Sequence, residues 1–272
     1  MPKPKSSVPW TRQHRLMALN LYHKLPFGRL HHRNPVIVEV AAKMGRTPSS
    51  LAMKLTNFAS LDPVLAARGI GGLDGASKGD REQWQEFREN LDELAPESEG
   101  LLEQLLNAPE GAEIDCTSSP RGVVIRPDRF LVRPNGPTEG TASVKVRRGQ
   151  CFFRQAVLTA YGGRCGVTGL AIPELLVASH IHPWALFPED RIDPQNGLCL
   201  SRLHDGAFDQ GLITFDADLR MLMSGRLKES EPKETVERFF EAYVGLPLRS
   251  PEKIGEPSRA FLEWHRSEVF AG

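Results

Sequence analysis

The sequence of 272 residues has few cysteines and no long apolar run, and each absence excludes a class of protein. Its four cysteines form no Cys-x-x-Cys pair, which argues against a disulfide scaffold and against a zinc ribbon. No apolar stretch approaches the ~20 residues of a membrane-spanning helix, and the first residues, MPKPKSSVPW, lack the apolar core of a signal peptide. We therefore expect a soluble, cytoplasmic protein with about two domains, at ~150 residues each.

A net charge is also absent, since 34 basic side chains balance 34 acidic ones, but the two signs are segregated along the chain. Residues 1–60 hold ten basic side chains and one acidic one, and residues 61–115 hold four and fourteen. Residues 116–165 hold nine and two, and residues 166–272 hold eleven and seventeen. Two basic stretches would suit contact with a phosphate backbone at two places. Alternatively, the first basic block and the following acidic block face one another within one domain.

Apolar spacing and capping residues predict three helices in the first sixty residues. A helix over 10–22 is followed by helices that begin at Asn34-Pro35 and at Thr47-Pro48. The short turn between the last two resembles a helix-turn-helix, whose second helix enters the major groove. A helical bundle that contacts no nucleic acid is the alternative. The residues expected at DNA are the exposed readers Ser49, Ser50, Lys54 and Asn57, with Arg46 near the phosphates.

Composition then divides the chain. An amphipathic helix is predicted over 80–94, and residues 95–143 become rich in proline, glycine, serine and glutamate, with one short strand candidate at GVVIRPDRFLV. We expect a helical DNA-recognition domain over 1–100, a linker over 101–143 and a second domain over 144–272.

The second domain contains the side chains that could perform chemistry. It opens with Arg147 and Arg148, which we expect to contact DNA, and with a helix over 149–161 that ends at two glycines. An apolar strand, a loop and a short strand follow, and then a helix and two further strands around an Asp-Ala-Asp turn. The polar residues on these elements are, in order, His180, His182, Asn196, His204, Asp205 and Asp209.

This order of residues resembles the HNH endonuclease family. The intervals are 16 residues from His180 to Asn196 and 8 from Asn196 to His204. The flanks, from RRGQ to GGRCGVTG and at FLEWHRSEVF, resemble those of restriction-type bacterial members, so the resemblance covers about residues 145–272. It implies an α+β fold with a C-terminal ββα-metal domain. The matching segments are Ala178-Ser179-His180-Ile181, Pro183-Trp184, Asp193-Pro194-Gln195-Asn196-Gly197-Leu198 and His204 through Asp209.

Hydrolysis of a phosphodiester gives these residues expected roles. Histidine has an ordinary pKa of ~6.5, so His180 is the expected base. The resemblance implies that Asn196 fixes the loop, and either an Asn side chain or a backbone carbonyl could hold the ring of the base. His204 is the expected ligand of one divalent metal ion, with its ring turned toward the same cation as that of His180.

The second metal ligand is less clear from the sequence. Ser179 stands where many HNH sites place an Asp or His. Asp209 could supply a carboxylate, although it lies ~140° from His204 around an ideal helix, and His182 ranks below it. A carboxylate favours Mg²⁺, the first expectation, whereas imidazole ligands would permit Mn²⁺, Co²⁺, Ni²⁺ or Zn²⁺.

The sequence thus predicts a metal-dependent DNA endonuclease of restriction or defence type that cuts double-stranded DNA. Some relatives are directed at modified cytosine, which makes modified DNA a candidate substrate. Cutting both strands with one site per chain favours a homodimer. The alternatives are a DNA-binding regulator with a weakened HNH scaffold and an RNA-cleaving nuclease.

Overall fold

The computed structural model describes residues 9–71, 75–117, 121–126, 137–253 and 256–272, and only the backbone of residues 137–142. It combines helices with small antiparallel strand pairs, which agrees with the predicted α+β class. None of the helices in these ranges is long and apolar enough to cross a membrane.

In the described residues up to 106, the amino-terminal half consists mainly of α-helices. Asn34 accepts a hydrogen bond from the Val36 N–H, and Thr47 accepts one from the Ser50 N–H, so both predicted helix starts are confirmed. Whether this half reads DNA through its second and third helices stays a prediction. The helices are α1 (Arg12–Lys24), α2 (Pro35–Lys43), α3 (Pro48–Ala59), α4 (Pro63–Ala67), α5 (Lys78–Glu89) and α6 (Leu91–Leu106).

The segment after residue 90 is helical for longer than predicted. The sequence predicted the end of one helix followed by a linker, whereas the structure contains a second helix. The predicted helix over 80–94 is interrupted at Asn90, and α6 continues to Leu106 despite the internal Pro96. Burial explains the difference, because Leu94, Ala95 and Leu102 join the core of the helical half. Packing of an apolar face outweighs weak helix propensity.

Two short strands follow α6. The strands β1 (Glu113–Asp115) and β2 (Val124–Arg126) pair antiparallel, with Ile114 opposite Ile125. β2 confirms part of the predicted strand, whose remainder, from residue 127, lies outside the described residues.

A long helix, α7 (Pro137–Ala160), joins the two halves and starts twelve residues earlier than predicted. Phe152 and Ala156 pack into the amino-terminal core, whereas Phe153 and Val157 pack into the carboxy-terminal one. The helix ends before two glycines at positive φ, as predicted. Since α7 contributes to both cores, it fixes the helical half against the element that carries His180.

Some residues that were expected to contact DNA are buried or contact other side chains of the protein. Lys54 is buried with its ammonium 2.6 Å from Asp80, so the prediction that it is an exposed reader is wrong. Arg46 is buried with its guanidinium 3.9 Å from the centre of the Trp10 ring, and Arg148 lies 2.6 Å from Glu103. Burial of Arg46 corrects the expectation that it lies near phosphates, whereas contact of the half-buried Arg148 with DNA stays a prediction.

The other members of that set are not contradicted. Ser49 is exposed, and Ser50, Asn57 and Arg147 are half-buried. Their contact with DNA stays a prediction.

Ion pairs join the first basic block to the acidic block that follows it. Lys24 lies 2.6 Å from Glu99 in the core, and Arg12 reaches Glu97 at 2.8 Å on the surface. Together with the Lys54–Asp80 pair, they favour the alternative in which these blocks face one another.

The carboxy-terminal half has the predicted order of strand, loop, strand and helix. β3 (Leu176–His180) pairs antiparallel with β4 (Gly197–Ser201), which places His180 opposite Gly197. The chain then enters α8 (Arg202–Asp209), and the two strands predicted next are present. The remaining elements are β5 (Ile213–Phe215), β6 (Met221–Met223), α9 (Gly225–Lys228), α10 (Lys233–Phe239) and α11 (Arg259–Glu268).

Candidate active site

The hairpin of β3 and β4 presents His180 at its open end. The ring stacks on Phe153 with 3.9 Å between centroids, and Nε2 lies 3.0 Å from the carbonyl oxygen of Arg191. A carbonyl can only accept, so Nε2–H donates and Nδ1 keeps its lone pair. Burial lowers the pKa of His180. The ring is thus neutral and fixed in one tautomer near neutral pH.

Asn196 is fully buried beneath the loop between the two strands. Its Nδ2 donates to the carbonyl oxygens of His182, at 3.2 Å, and Asp190, at 3.0 Å. Its Oδ1 accepts from the His182 N–H at 2.7 Å. Asn196 therefore ties the loop together, while the carbonyl of Arg191, and not the amide of Asn196, holds the His180 ring.

His204 does not occupy the place expected for a metal ligand. It is 1% exposed, and its Nδ1 lies 2.9 Å from the Ser201 hydroxyl and its Nε2 3.0 Å from the Phe239 carbonyl. Both ring nitrogens are engaged, and the ring contacts Phe240. The expectation that His204 binds metal beside His180 is corrected: its ring belongs to the contact between α8 and α10.

The carboxylates of α8, unlike the His204 ring, lie at the pocket that contains His180. Asp205 and Asp209 line the same open pocket as His180, with a volume of about 410 Å³. Burial raises the pKa of Asp205, and burial together with the charge of Asp205 raises the pKa of Asp209 to about 6. Two carboxyl groups that disfavour each other's charge in a partly buried site are suited to a shared cation.

Ser179, at the position of an expected ligand, lies at the wall of this pocket and is buried. Its hydroxyl has no hydrogen-bond partner among the described residues, and its influence on the Asp205 carboxyl group offsets only part of the rise in pKa that burial causes. The serine thus acts on a carboxylate of α8, which supplies the charge that Ser179 itself lacks.

His182 is not part of the pocket wall. Its Nδ1 lies 2.8 Å from the Asp190 carboxylate, and its ring lies between Phe187 and Phe261 at 3.9 and 4.2 Å. These contacts assign it to the packing of the loop and argue against its lower-ranked role as a ligand.

His265 on α11 lines the pocket from the opposite side. It stacks on Phe208 with 3.7 Å between centroids, and its Nε2 donates to the Phe208 carbonyl at 3.0 Å. Its Nδ1 accepts from the Thr214 hydroxyl at 2.9 Å, and burial lowers its pKa to about 4. The side chain therefore holds the last turn of α8, where Asp209 lies.

The pocket fits a hard divalent cation. Among the described residues no cluster of three or more His, Cys, Asp or Glu side chains forms a metal site. Mg²⁺, however, commonly takes one or two carboxylates and completes its shell with water and substrate phosphate oxygens. The donor set of Asp205 and Asp209 meets that requirement.

Comparison with known proteins gives one family match, to the part of the chain that contains most residues of this pocket. Residues 165–216 match the model of a family described as HNH endonuclease, and that segment runs from before β3 to after β5. No curated protein matches the chain. The matched segment, which is similar to HNH endonuclease domains, contains His180, Asn196 and both carboxylates of α8.

Proposed function

We propose that this protein is a metal-dependent endonuclease that hydrolyses double-stranded DNA. The observation that carries the proposal is that the His180 ring, Asp205 and Asp209 line the same open pocket. A nuclease domain implies a nucleic-acid substrate, and a fixed imidazole beside two carboxylates supplies a base and a cation site together.

His180 is the proposed general base. Its Nδ1 takes a proton from a water molecule, while the water oxygen forms a bond to phosphorus and the bond from phosphorus to the 3′-oxygen breaks. The leaving 3′-oxygen takes a proton from solvent water, so the products are a 5′-phosphate and a 3′-hydroxyl. The Arg191 carbonyl keeps Nε2 protonated, so Nδ1 is the basic nitrogen.

Asp205 and Asp209 are the proposed metal ligands, in place of His204. A divalent cation bound there supplies a Lewis acid that stabilises the negative charge on the leaving oxygen. Carboxylate oxygens favour Mg²⁺ among the metals that the sequence left open. Asn196 has a positioning role, because it holds the loop that contains the Arg191 carbonyl.

A role in restriction or defence, and a preference for modified DNA, extend this proposal. They are supported by the resemblance of the flanking segments to restriction-type HNH proteins. The homodimer predicted for double-strand cutting also remains part of the proposal.

The test is a plasmid digest by the full-length protein with EDTA, Mg²⁺ or Mn²⁺. We expect nicking with either metal and none with EDTA, and a loss of about 10²- to 10⁴-fold in His180→Ala, the range for removal of a general base. His32→Ala is the matched control, since His32 is exposed. Parallel digests of modified DNA and duplex RNA define the substrate.

One observation favours a second candidate, a DNA-binding regulator with a weakened site: Ser179 stands where many HNH sites place an Asp or His ligand. Wild-type protein that shifts DNA in a gel and never cuts it with any divalent metal would establish the regulator and reject the endonuclease.

A further inference from the structure

A second cleft, of about 360 Å³, lies where the helical half meets the loop that precedes Asn196. One wall is built by α1, α4 and α5, and the other by residues 189 and 192–195 of the loop. None of its lining residues lines the His180 pocket. It is therefore a separate feature of the molecule.

The wall on the helical side is aromatic. The rings of His23 and Phe87 stack with 5.5 Å between centroids and an angle of 24°, and Trp84 stacks on His23 at 6.4 Å and 12°. Trp84 is half-buried, so part of its ring remains accessible. Aromatic faces of this kind bind flat or alkylated cations through the negative face of the ring.

His23 has unused hydrogen-bonding capacity at this wall. It is only 8% exposed, and its buried Nδ1 has no hydrogen-bond partner among the described residues. Burial lowers its pKa to about 3, so the ring is neutral and one nitrogen has a lone pair for an N–H donor. A buried polar ring without a partner is uncommon and calls for an explanation.

The rim of the cleft is acidic. The cleft residues include one guanidinium, that of Arg88, and five carboxyl groups, four of them exposed or half-buried, while Asp62 is buried and accepts a hydrogen bond from the Tyr22 hydroxyl at 2.5 Å. Such a rim repels phosphates and attracts cations. The five are Asp62, Glu89, Asp92, Glu189 and Asp193.

We propose that this cleft is a binding site for a compact organic cation of the alkylammonium or guanidinium class. The cation lies against Trp84, with its charge near Glu189 and Asp193. Two sources share this chemistry: a free polyamine, and a lysine or arginine side chain of a partner protein.

A ligand in the cleft would contact the loop that positions the His180 ring. Glu189 and Asp193 belong to the same loop as Arg191, whose carbonyl holds the His180 ring. A cation that contacts both α5 and this loop joins them. We therefore expect amide hydrogens of residues 189–196 to exchange more slowly when the cleft is filled.

Titration calorimetry of the full-length protein, without DNA or metal, tests the proposal. The probes are spermidine for the polyamine source and N-acetylarginine amide for the side-chain source, with N-acetylcitrulline amide as the neutral isostere. We expect one site for at least one cationic probe, with affinity about tenfold lower in Trp84→Leu and in Glu189→Gln. The exposed Glu237 lies outside the cleft, and Glu237→Gln leaves the affinity unchanged.

The proposal is overturned if neither cationic probe binds at concentrations up to about 10 mM, or if the citrulline compound binds as tightly as the arginine one. Equal weakening by Glu189→Gln and Glu237→Gln would also overturn it, because it would indicate diffuse attraction. Glu189 is exposed, so we expect Glu189→Gln to keep the fold. This variant therefore still tests the proposal if Trp84→Leu fails to fold. Since the assay uses no DNA, its result is independent of the proposed endonuclease activity.

Discussion

At the scale of single residues, the site depends on which side chains of α8 face the pocket. Asp205 and Asp209 are four residues apart, which places them within ~40° of each other on an ideal helix, whereas His204 lies ~100° from its neighbour Asp205. The resemblance to HNH endonucleases led to the expected roles of His180 and Asn196, and the predicted metal ligands were His204 and Asp209, without Asp205. Sequence spacing alone could not show that Ser201 and Phe239 engage both nitrogens of His204. The four-residue interval was the signal that could have identified Asp205.

Removal of one carboxylate should therefore impair the enzyme. We expect Asp209→Asn to reduce DNA cleavage by about 100-fold at fixed Mg²⁺, because the neutral amide loses most of the attraction for the cation. Cleavage rates at increasing Mg²⁺ measure the effect. Asp218→Asn, at an exposed turn, is the matched control. Wild-type rates in Asp209→Asn would remove this residue from the metal site.

At the scale of secondary structure, the sequence predicted where helices start from their capping residues. It did not predict which helix faces are buried. Asn34-Pro35 and Thr47-Pro48 are local signals, so α2 and α3 were predicted with their starts. α6 was mistaken in part for a linker because Pro96 and its polar neighbours lower local helix propensity. Its formation depends on burial of Leu102 and Leu106 against residues distant in the sequence, which no local pattern contains.

A substitution in α6 distinguishes a packed helix from a linker. Leu102 is fully buried, and we expect Leu102→Ala to lower the free energy of unfolding by about 2–5 kcal/mol. Met53→Ala, at a side chain that is 57% exposed on α3, should change it by less than about 0.5 kcal/mol. Urea denaturation of both variants gives the comparison. Equal, small effects would mean that α6 contributes little to the core.

The contact between α11 and α8 carries a second prediction at this scale. His265→Ala leaves the buried Thr214 hydroxyl without its partner and removes one of the hydrogen bonds that the Phe208 carbonyl accepts, so we expect a loss of about 1–3 kcal/mol in unfolding free energy. Because Asp209 follows Phe208, Mn²⁺ affinity should also fall. Calorimetric titration of the folded variant with Mn²⁺ measures this. Unchanged affinity would limit His265 to a role in stability.

At the scale of the whole molecule, α7 and the segment near residue 253 connect the two halves. Lys253 is fully buried, and its ammonium donates to the carbonyl oxygens of Tyr22 and of Leu25, the latter at 2.6 Å. Burial lowers the pKa of Lys253 to about 7 from an ordinary value of 10.5. A carbonyl cradle at the end of α1 thus contains a group that changes charge near neutral pH.

The sign of the resulting pH dependence follows from proton binding. Between pH 7 and 10.5 the unfolded chain holds more protons at Lys253 than the folded protein, so this group makes stability rise with pH in that window. From pH 7 to 9, we expect wild type to gain about 2 kcal/mol relative to Lys253→Met. Urea unfolding at both pH values tests this, with the exposed Lys228→Met as control. A constant difference between wild type and Lys253→Met would contradict it.

We expect the carboxylates of α8, and not an imidazole, to bind the cation beside His180. Pulsed electron paramagnetic resonance of the protein loaded with one equivalent of Mn²⁺ tests it most directly, because a directly bound ring nitrogen couples to the electron spin. We predict coordination by oxygen alone, with no coupling from a bound histidine nitrogen, and loss of the bound signal in the double variant Asp205→Asn and Asp209→Asn. A histidine nitrogen coupling that persists in that double variant would contradict the account.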